Sequence, residues 1–256
     1  MNYNRIALTR ELPGDLDTPV GAYLKLAHRP YSFLLESMQG GERWGRYSFI
    51  GLPSREVLRV SGPRGTVTRN DAVVETLETA DPIAWIRAYA ARYRVRPEPG
   101  LPRFSGGLVG YFGYETLRHI EPNALGAAKA DPIGTPDMIL LVSDELAVVD
   151  NVLGKLYLIV YADPQQPDAF GSAQERISML RARMAAPLPA EVFKESSRHV
   201  GDASVQRTFT EAGFCEAVKR AIDDFRATAA NVCGLRRRRA RTWSASSRVA
   251  TTIWRT

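Results

Sequence analysis

Cysteine and histidine are scarce in this chain. Its 256 residues include two cysteines, Cys215 and Cys233, and three histidines, His28, His119 and His199. Two cysteines build no disulfide framework, and they suit a reducing compartment. The histidines are well separated, and neither a paired-histidine spacing nor a Cys-x-x-Cys pair offers zinc a ligand set. Long apolar runs are missing too: nothing approaches the roughly 18 residues of a membrane helix. Residues 1–11 lack the apolar core of a signal peptide and carry an acid early. These absences point to a cytoplasmic protein with no membrane partner.

Acids and lysines are absent from residues 231–256, where the charge is carried by Arg236, Arg237, Arg238, Arg239, Arg241, Arg248 and Arg255. The whole chain has 34 basic and 28 acidic residues, a net charge of +6, which by itself suggests a phosphate-rich partner. The distribution overrides that suggestion. Residues 1–230 hold 27 basic against 28 acidic side chains, a nearly neutral body without the excess field that draws nucleic acid. The tail has no amphipathic period. One reading makes it a basic arm for nucleic acid or acidic lipid. The preferred one makes it translation in a shifted frame, because a GC-rich gene read out of frame yields Arg, Ala, Ser, Thr and stray Trp. On that reading residues 231–256 are a disordered, non-homologous tail, and no specific nucleic-acid partner is expected.

The body alternates helices with short strands. Thr18 is a candidate N-cap, Pro19 the first helical residue, and Val20, Tyr23, Leu24 and Ala27 share one face of a helix within residues 15–27. Residues 31–36 and 46–50 are β-type runs, with a glycine-bearing turn between them at 38–45. Shorter strands follow at 56–60, 66–69 and 72–77, punctuated by hairpin turns at Gly62-Pro63-Arg64-Gly65 and Asn70-Asp71. Asp81 and Pro82 open a second helix whose stripe is Ile83, Ile86, Tyr89, Ala90 and Tyr93, with Pro97 and Pro99 to end it. A glycine-rich strand at 106–115 precedes strands at 138–143, 146–150 and 156–161, the last two joined by a hairpin turn at 151–154. Residues 165–186 form a helix with Phe170, Ala173, Ile177, Leu180 and Met184 at helical spacing. Residues 187–207 read as a linker. A final helix at 210–226, capped by Thr210, turns Phe214, Val218, Ala221, Ile222 and Phe225 inward. Without strict βαβ alternation, the expected class is α+β, an antiparallel or mixed sheet with helices packed on it.

Chemistry-bearing motifs are few. The glycines at 106, 107, 110 and 113 match neither G-x-x-x-x-G-K-[ST] nor G-x-G-x-x-G. They sit inside a β-type pattern, where they let a backbone or an aromatic ring come close. Carboxylates are scattered, with no pair set for acid–base work. Leu34-Leu35-Glu36-Ser37 stands at a strand end, where an apolar pair gives way to an acid and a hydroxyl. That is a sheet rim, or part of a small amino-acid pocket in which the acid accepts from an ammonium and the hydroxyl orients the ligand.

Four strings occur in order along the body: Leu34-Leu35-Glu36-Ser37; Gly45-Arg46-Tyr47-Ser48-Phe49-Ile50-Gly51; Phe104-Ser105-Gly106-Gly107-Leu108-Val109-Gly110-Tyr111-Phe112-Gly113-Tyr114-Glu115; and Pro136-Asp137-Met138. Together they resemble the N-terminal region of anthranilate synthase component I. The likeness extends through Phe209-Thr210 and Phe214-Cys215-Glu216-Ala217-Val218-Lys219-Arg220-Ala221, which look like the helix that opens the family's chorismate-binding domain. It covers residues 1–227.

The resemblance implies an N-terminal regulatory domain at 1–186, a linker at 187–207 and the start of a chorismate-binding domain at 208–230. The full-length family makes anthranilate and pyruvate from chorismate, with magnesium and with ammonia from a glutamine amidotransferase, component II, in tryptophan biosynthesis. It also implies a feedback site for L-tryptophan, with Ser37 as its best candidate and Glu36 and Leu35 beside it. After the last helix the family continues through an Ala-Gly-Asp stretch into a strand. Here Ala227-Thr228-Ala229-Ala230 leads instead into Asn231-Val232-Cys233-Gly234-Leu235 and four arginines. The expectation is a truncated, frameshifted component I that is inactive alone, with no catalytic, cofactor-binding or metal residue of its own. Aminodeoxychorismate synthase component I shares much of this pattern and stays open. So do a non-catalytic tryptophan- or partner-binding module and a nucleic-acid binder working through the tail.

Overall fold

A computed structural model describes residues 3–36, 45–121, 131, 133–190 and 210–235. The chain divides into two units, Met1–Phe193 and Lys194–Thr256. The first unit contains β1 (Ile6–Pro13), α1 (Pro19–Leu26), β2 (Phe33–Leu35), β3 (Tyr47–Gly51), β4 (Glu56–Ser61), β5 (Arg64–Arg69) and β6 (Ala72–Glu78). It continues through α2 (Pro82–Ala90), β7 (Gly107–Phe112), a 3-10 turn at Tyr114–Thr116, α3 (Leu117–Ile120), β8 (Met138–Ser143), β9 (Glu145–Asp150), β10 (Lys155–Ala162) and α4 (Ala169–Ala185). The second unit contributes α5 (Glu211–Leu235).

The class is α+β, but the strands form two sheets. One has the order β1-β10-β9-β3-β2 and the other β6-β5-β4-β8-β7, and every ladder in both is antiparallel. The division follows from one ribbon that belongs to both. β3 pairs with β9 in the first sheet, and their continuations β4 and β8 pair in the second. At the corner, between the pair Gly51–Leu146 of one ladder and the pair Val57–Leu141 of the other, the five residues 52–56 face the four residues 142–145. Such unequal arms bend a ribbon and let its strands change sheets. The Leu52 amide donates to the Glu145 carbonyl at 3.1 Å, and Ser54 Oγ donates to the Val142 carbonyl at 2.9 Å.

Local signals fall where the sequence puts them. Thr18 Oγ1 accepts from the Gly21 amide at 3.0 Å and Asp81 Oδ1 from the Ala84 amide at 2.9 Å, each with proline opening the helix behind it. Asn70 and Asp71 take φ of 49° and 64°, the left-handed pair that a two-residue hairpin needs. The glycine-rich strand packs as expected. A Cβ on Gly110 would stand 1.8 Å from the Ile139 carbonyl oxygen, so a side chain there would break the β7–β8 approach.

Helices α1 and α4 cover one face of the first sheet over a core that includes Leu26, Ile50, Leu156, Leu158 and Leu180. Helix α2 covers the second sheet over Leu58, Val60, Val67, Trp85, Met138 and Leu140.

Three helix limits differ from the sequence pattern. α2 stops at Ala90, short of Tyr93, because the following residues pair with the N-terminal strand. The Asn4 and Arg5 amides donate to the Arg94 carbonyl at 2.9 and 3.1 Å, and the Arg96 amide donates to Arg5 at 2.8 Å. α4 starts at Ala169, since Asp163 gathers the Gln165 and Gln166 amides into a turn and Asp168 is left-handed with φ of 52°. Phe170, expected inward, is 48% exposed.

α5 runs past Arg226 to Leu235, into the segment read as tail. Its Phe214, Val218, Ile222 and Phe225 are 60%, 41%, 45% and 74% exposed, against the expectation that they turn inward. α5 is the helix described in its unit, and no second described element there covers the stripe. Most of the expected linker, at 191–207, and the tail from 236 onward lie outside the described residues.

Candidate functional site

Leu34 and Leu35 end β2, the edge strand of the first sheet. The entry to β2 is held from several sides. Tyr31 is left-handed, with φ of 60°, and its carbonyl accepts from the Ser54 amide at 2.9 Å. Its hydroxyl accepts from Arg59 Nη2 at 2.7 Å. The Phe33 ring fills the space that a side chain on Gly51 of β3 would take: a Cβ there would stand 1.9 Å from Phe33 Cε1.

The strand alternation then separates the two leucines. Leu34 pairs with Ile50 and packs against the core beneath α1 and α4. Leu35 pairs with Phe49 on the opposite face and is 49% exposed. Glu36 is exposed just past the strand. Ser37 and the turn expected from 38, through residue 44, lie outside the described residues. The structure thus places Leu35 and Glu36 at one open sheet edge and gives no position for Ser37.

The face that Leu35 shares is aromatic. One lateral row crosses the sheet as Glu11, Tyr157, Val148, Phe49 and Leu35. Phe49 meets Phe104 edge-on at 5.3 Å between ring centroids, and Tyr47 lies 6.0 Å from Phe49. Arg46 stacks 4.9 Å above the Tyr47 ring. It also grips Asp150, Nε and Nη2 reaching the carboxylate at 2.7–3.1 Å. Asp150 is 1% exposed, and its Oδ1 also accepts from the Val152 and Leu153 amides at 3.1 Å, closing the hairpin turn. Burial would push this carboxyl up. The Arg46 guanidinium and the two amides outweigh burial and hold it below the usual carboxylate range. Burial pushes the Tyr47 phenol up.

This arrangement can bind rather than react. It offers a half-buried aromatic wall, an apolar edge at Leu35 and a carboxylate at Glu36 that can accept from an ammonium. Among the described residues no group of three or more His, Cys, Asp or Glu side chains could hold a metal ion. No described helix is long and apolar enough to cross a membrane.

Sequence reasoning missed two buried polar clusters. Glu56, 9% exposed, accepts from Tyr89 Oη at 2.7 Å, from Arg69 Nε at 2.6 Å and from Tyr93 Oη. Burial would raise its carboxyl, but these three donors together hold it below the usual range. Burial and Glu56 in turn push the Tyr89 phenol up to about 12 and raise that of Tyr93 as well. The available signal was an acid inside an apolar strand facing tyrosines four residues apart. At the corner, Glu145 is held by Arg55 at 2.8 Å and Arg176 at 2.7 Å. Burial and the neighbouring Glu145 raise the carboxyl of Asp144, and the buried Ser143 Oγ has no hydrogen-bond partner. Both clusters tie elements together. Neither sets a nucleophile beside a base.

No protein-family model matches the sequence. Relatives are nonetheless clear. Anthranilate synthase component 1 of Neisseria meningitidis serogroup C is 54% identical over 185 residues, 71% of this chain and 38% of that protein. The protein of the same name from Pseudomonas aeruginosa is 44% identical over 222 residues, 86% of this chain and 45% of its own length. A crystal structure of anthranilate synthase component I from Streptococcus pneumoniae aligns with a TM-score of 0.46 and 23% identity, over 71% of this chain and 38% of that one. The chain therefore spans less than half the length of the curated relatives it matches. Identity of this order, over most of its own length, makes this chain a homologue of the anthranilate synthase component 1 proteins over less than half of theirs.

Proposed function

We propose that this chain carries the regulatory portion of an anthranilate synthase component I and that Leu35, Glu36 and Ser37 form its part of an L-tryptophan feedback site. The observation that carries this reading is the 54% identity to the Neisseria meningitidis protein. Leu35 and Glu36 at the open edge of an aromatic sheet face support it. In this reading Glu36 accepts the ammonium, Leu35 gives an apolar wall to the indole, and the Ser37 hydroxyl orients the ligand. The relatives reported above carry the anthranilate name rather than that of the aminodeoxychorismate branch.

The activity belongs to the whole protein. It converts chorismate, with ammonia from a glutamine amidotransferase component II, to anthranilate and pyruvate in the cytoplasm. Magnesium serves that reaction, and the described residues do not fit it: they offer it no ligand cluster. We keep the segment after residue 230 as shifted-frame translation, with α5 running into it as far as Leu235. The encoding DNA downstream of codon 228 should continue the chorismate-binding domain in another frame.

Chorismate, magnesium and ammonium added to the purified chain should yield no anthranilate fluorescence. Turnover that survives removal of host enzyme overturns the regulatory-portion reading. Calorimetry should show tryptophan binding in the millimolar range or weaker, because half a site must still offset the ligand's lost freedom. With the remaining sequence restored in frame, Ser37→Ala should weaken feedback inhibition roughly ten- to a hundredfold, the worth of one hydrogen bond to a charged group. Unchanged inhibition would place the site elsewhere.

A further inference from the structure

The first sheet carries a second opening at its other edge. There the N-terminal segment, the strand-like residues after α2 and the start of α4 surround a cavity of about 530 Å³ lined by Tyr3, Ile6, Arg96, Pro164 and Phe170. Four observations bear on its occupant. Phe170 has the spacing of a core residue on α4, yet it is 48% exposed, and Tyr3 is 38% exposed, so both aromatic walls are partly open to solvent. Ile6, 6% exposed, supplies an apolar floor. Arg96 is the charged residue of the lining, its amide fixed to the Arg5 carbonyl at 2.8 Å. Its guanidinium meets Glu98 at 2.9 Å, with the two side chains 47% and 36% exposed, and an ion pair that open to water is readily exchanged for another.

Mostly apolar walls with one charged group are the make-up of a small-molecule site, and the volume is in the range such sites have. A cation is disfavoured beside Arg96, and an inorganic oxyanion would leave both rings uncovered. We propose that this cavity binds a small aromatic carboxylate, its ring against Tyr3 and Phe170 and its carboxylate on Arg96. The inference does not rest on the tryptophan reading, since β1 and β2 are opposite edges of the same sheet.

The test is an amide-detected NMR titration of the full chain with 3-phenylpropionate and with its neutral amide. The acid should shift Ile6, Arg96 and Phe170 saturably, and the amide should bind roughly tenfold or more weakly, as loss of a charged hydrogen bond requires. Arg96→Gln should bring the acid down to the affinity of the amide. Glu98→Gln should tighten the acid by removing its competitor. Should Arg96→Gln fail to fold, the acid–amide pair and Glu98→Gln decide the matter alone. Equal affinity for acid and amide overturns the proposal. So does the absence of saturation at millimolar concentration, or shifts centred on Leu35 and Phe49 instead.

Discussion

Helices α4 and α5 look alike in sequence and differ in the fold. Each carries an apolar stripe at helical spacing between charged residues. On α4 the stripe of Ala173, Ile177, Leu180 and Met184 is 0–9% exposed against the first sheet. On α5 Phe214, Val218, Ile222 and Phe225 are 41–74% exposed. A period of 3.6 states which face must be covered but not what covers it. The cover for α4 comes from β1 and β10, more than 150 and about 10 residues away in the chain. The largest expected effect tests the covered side. Leu180→Ala removes a fully buried side chain and should cost about 2–5 kcal/mol, read from denaturant melts. A loss under about 1 kcal/mol would mean that the α4 contact is loose in solution.

Two carboxylates, Glu56 buried and Asp144 partly buried, repeat the contrast in polar form. Glu56 has three donors, whereas Asp144 is raised by burial and by the like charge of Glu145. Glu56→Gln leaves Tyr89 with a poorer acceptor and should cost about 1–3 kcal/mol near neutral pH, with little due to Arg69, whose side chain is half-exposed. The pH dependences have opposite signs. The folded carboxyl of Glu56 is lowered, so its stabilisation is present above the ordinary value of 4.5 and is lost as pH falls through the folded value. That of Asp144 is raised above 3.8, so the protein loses stability as pH rises from there through the folded value. Asp144→Asn should remove that loss and stabilise the chain at neutral pH, while Glu56→Gln should flatten the acid limb. Melts across pH in the two variants measure both, and a destabilised Asp144→Asn protein would show that the carboxylate has a partner in solution.

What could be read in advance follows the same division between local and distant causes. Thr18-Pro19, Asp81-Pro82 and Asn70-Asp71 act through their own backbone neighbours, so caps and turns were legible. The split into two sheets was not. It depends on residues 52–56 lying opposite 142–145, a register between segments some 90 residues apart. The early end of α2 depends on Asn4 and Arg5 reaching Arg94, which no helix rule contains. For the site, the strand end at Leu35 and Glu36 was visible from an apolar pair giving way to an acid. The aromatic face behind it was not, because Tyr47, Phe49, Phe104 and Tyr157 meet through three separate segments.

The smallest expected effect tests the uncovered helix. Ile222 is 45% exposed on α5, so Ile222→Ala removes little surface that folding has taken from water. Alanine also favours the helix more than isoleucine does. The two terms oppose each other, and the variant should stay within about 0.5 kcal/mol of the parent, as exposed positions do. The same change of residue size costs several times more at Leu180. Denaturant melts of the two variants side by side therefore read out cover rather than chemistry. A loss above about 2 kcal/mol for Ile222→Ala would show that the α5 stripe is buried in solution against a neighbour, and the two helices would then differ in partner rather than in exposure.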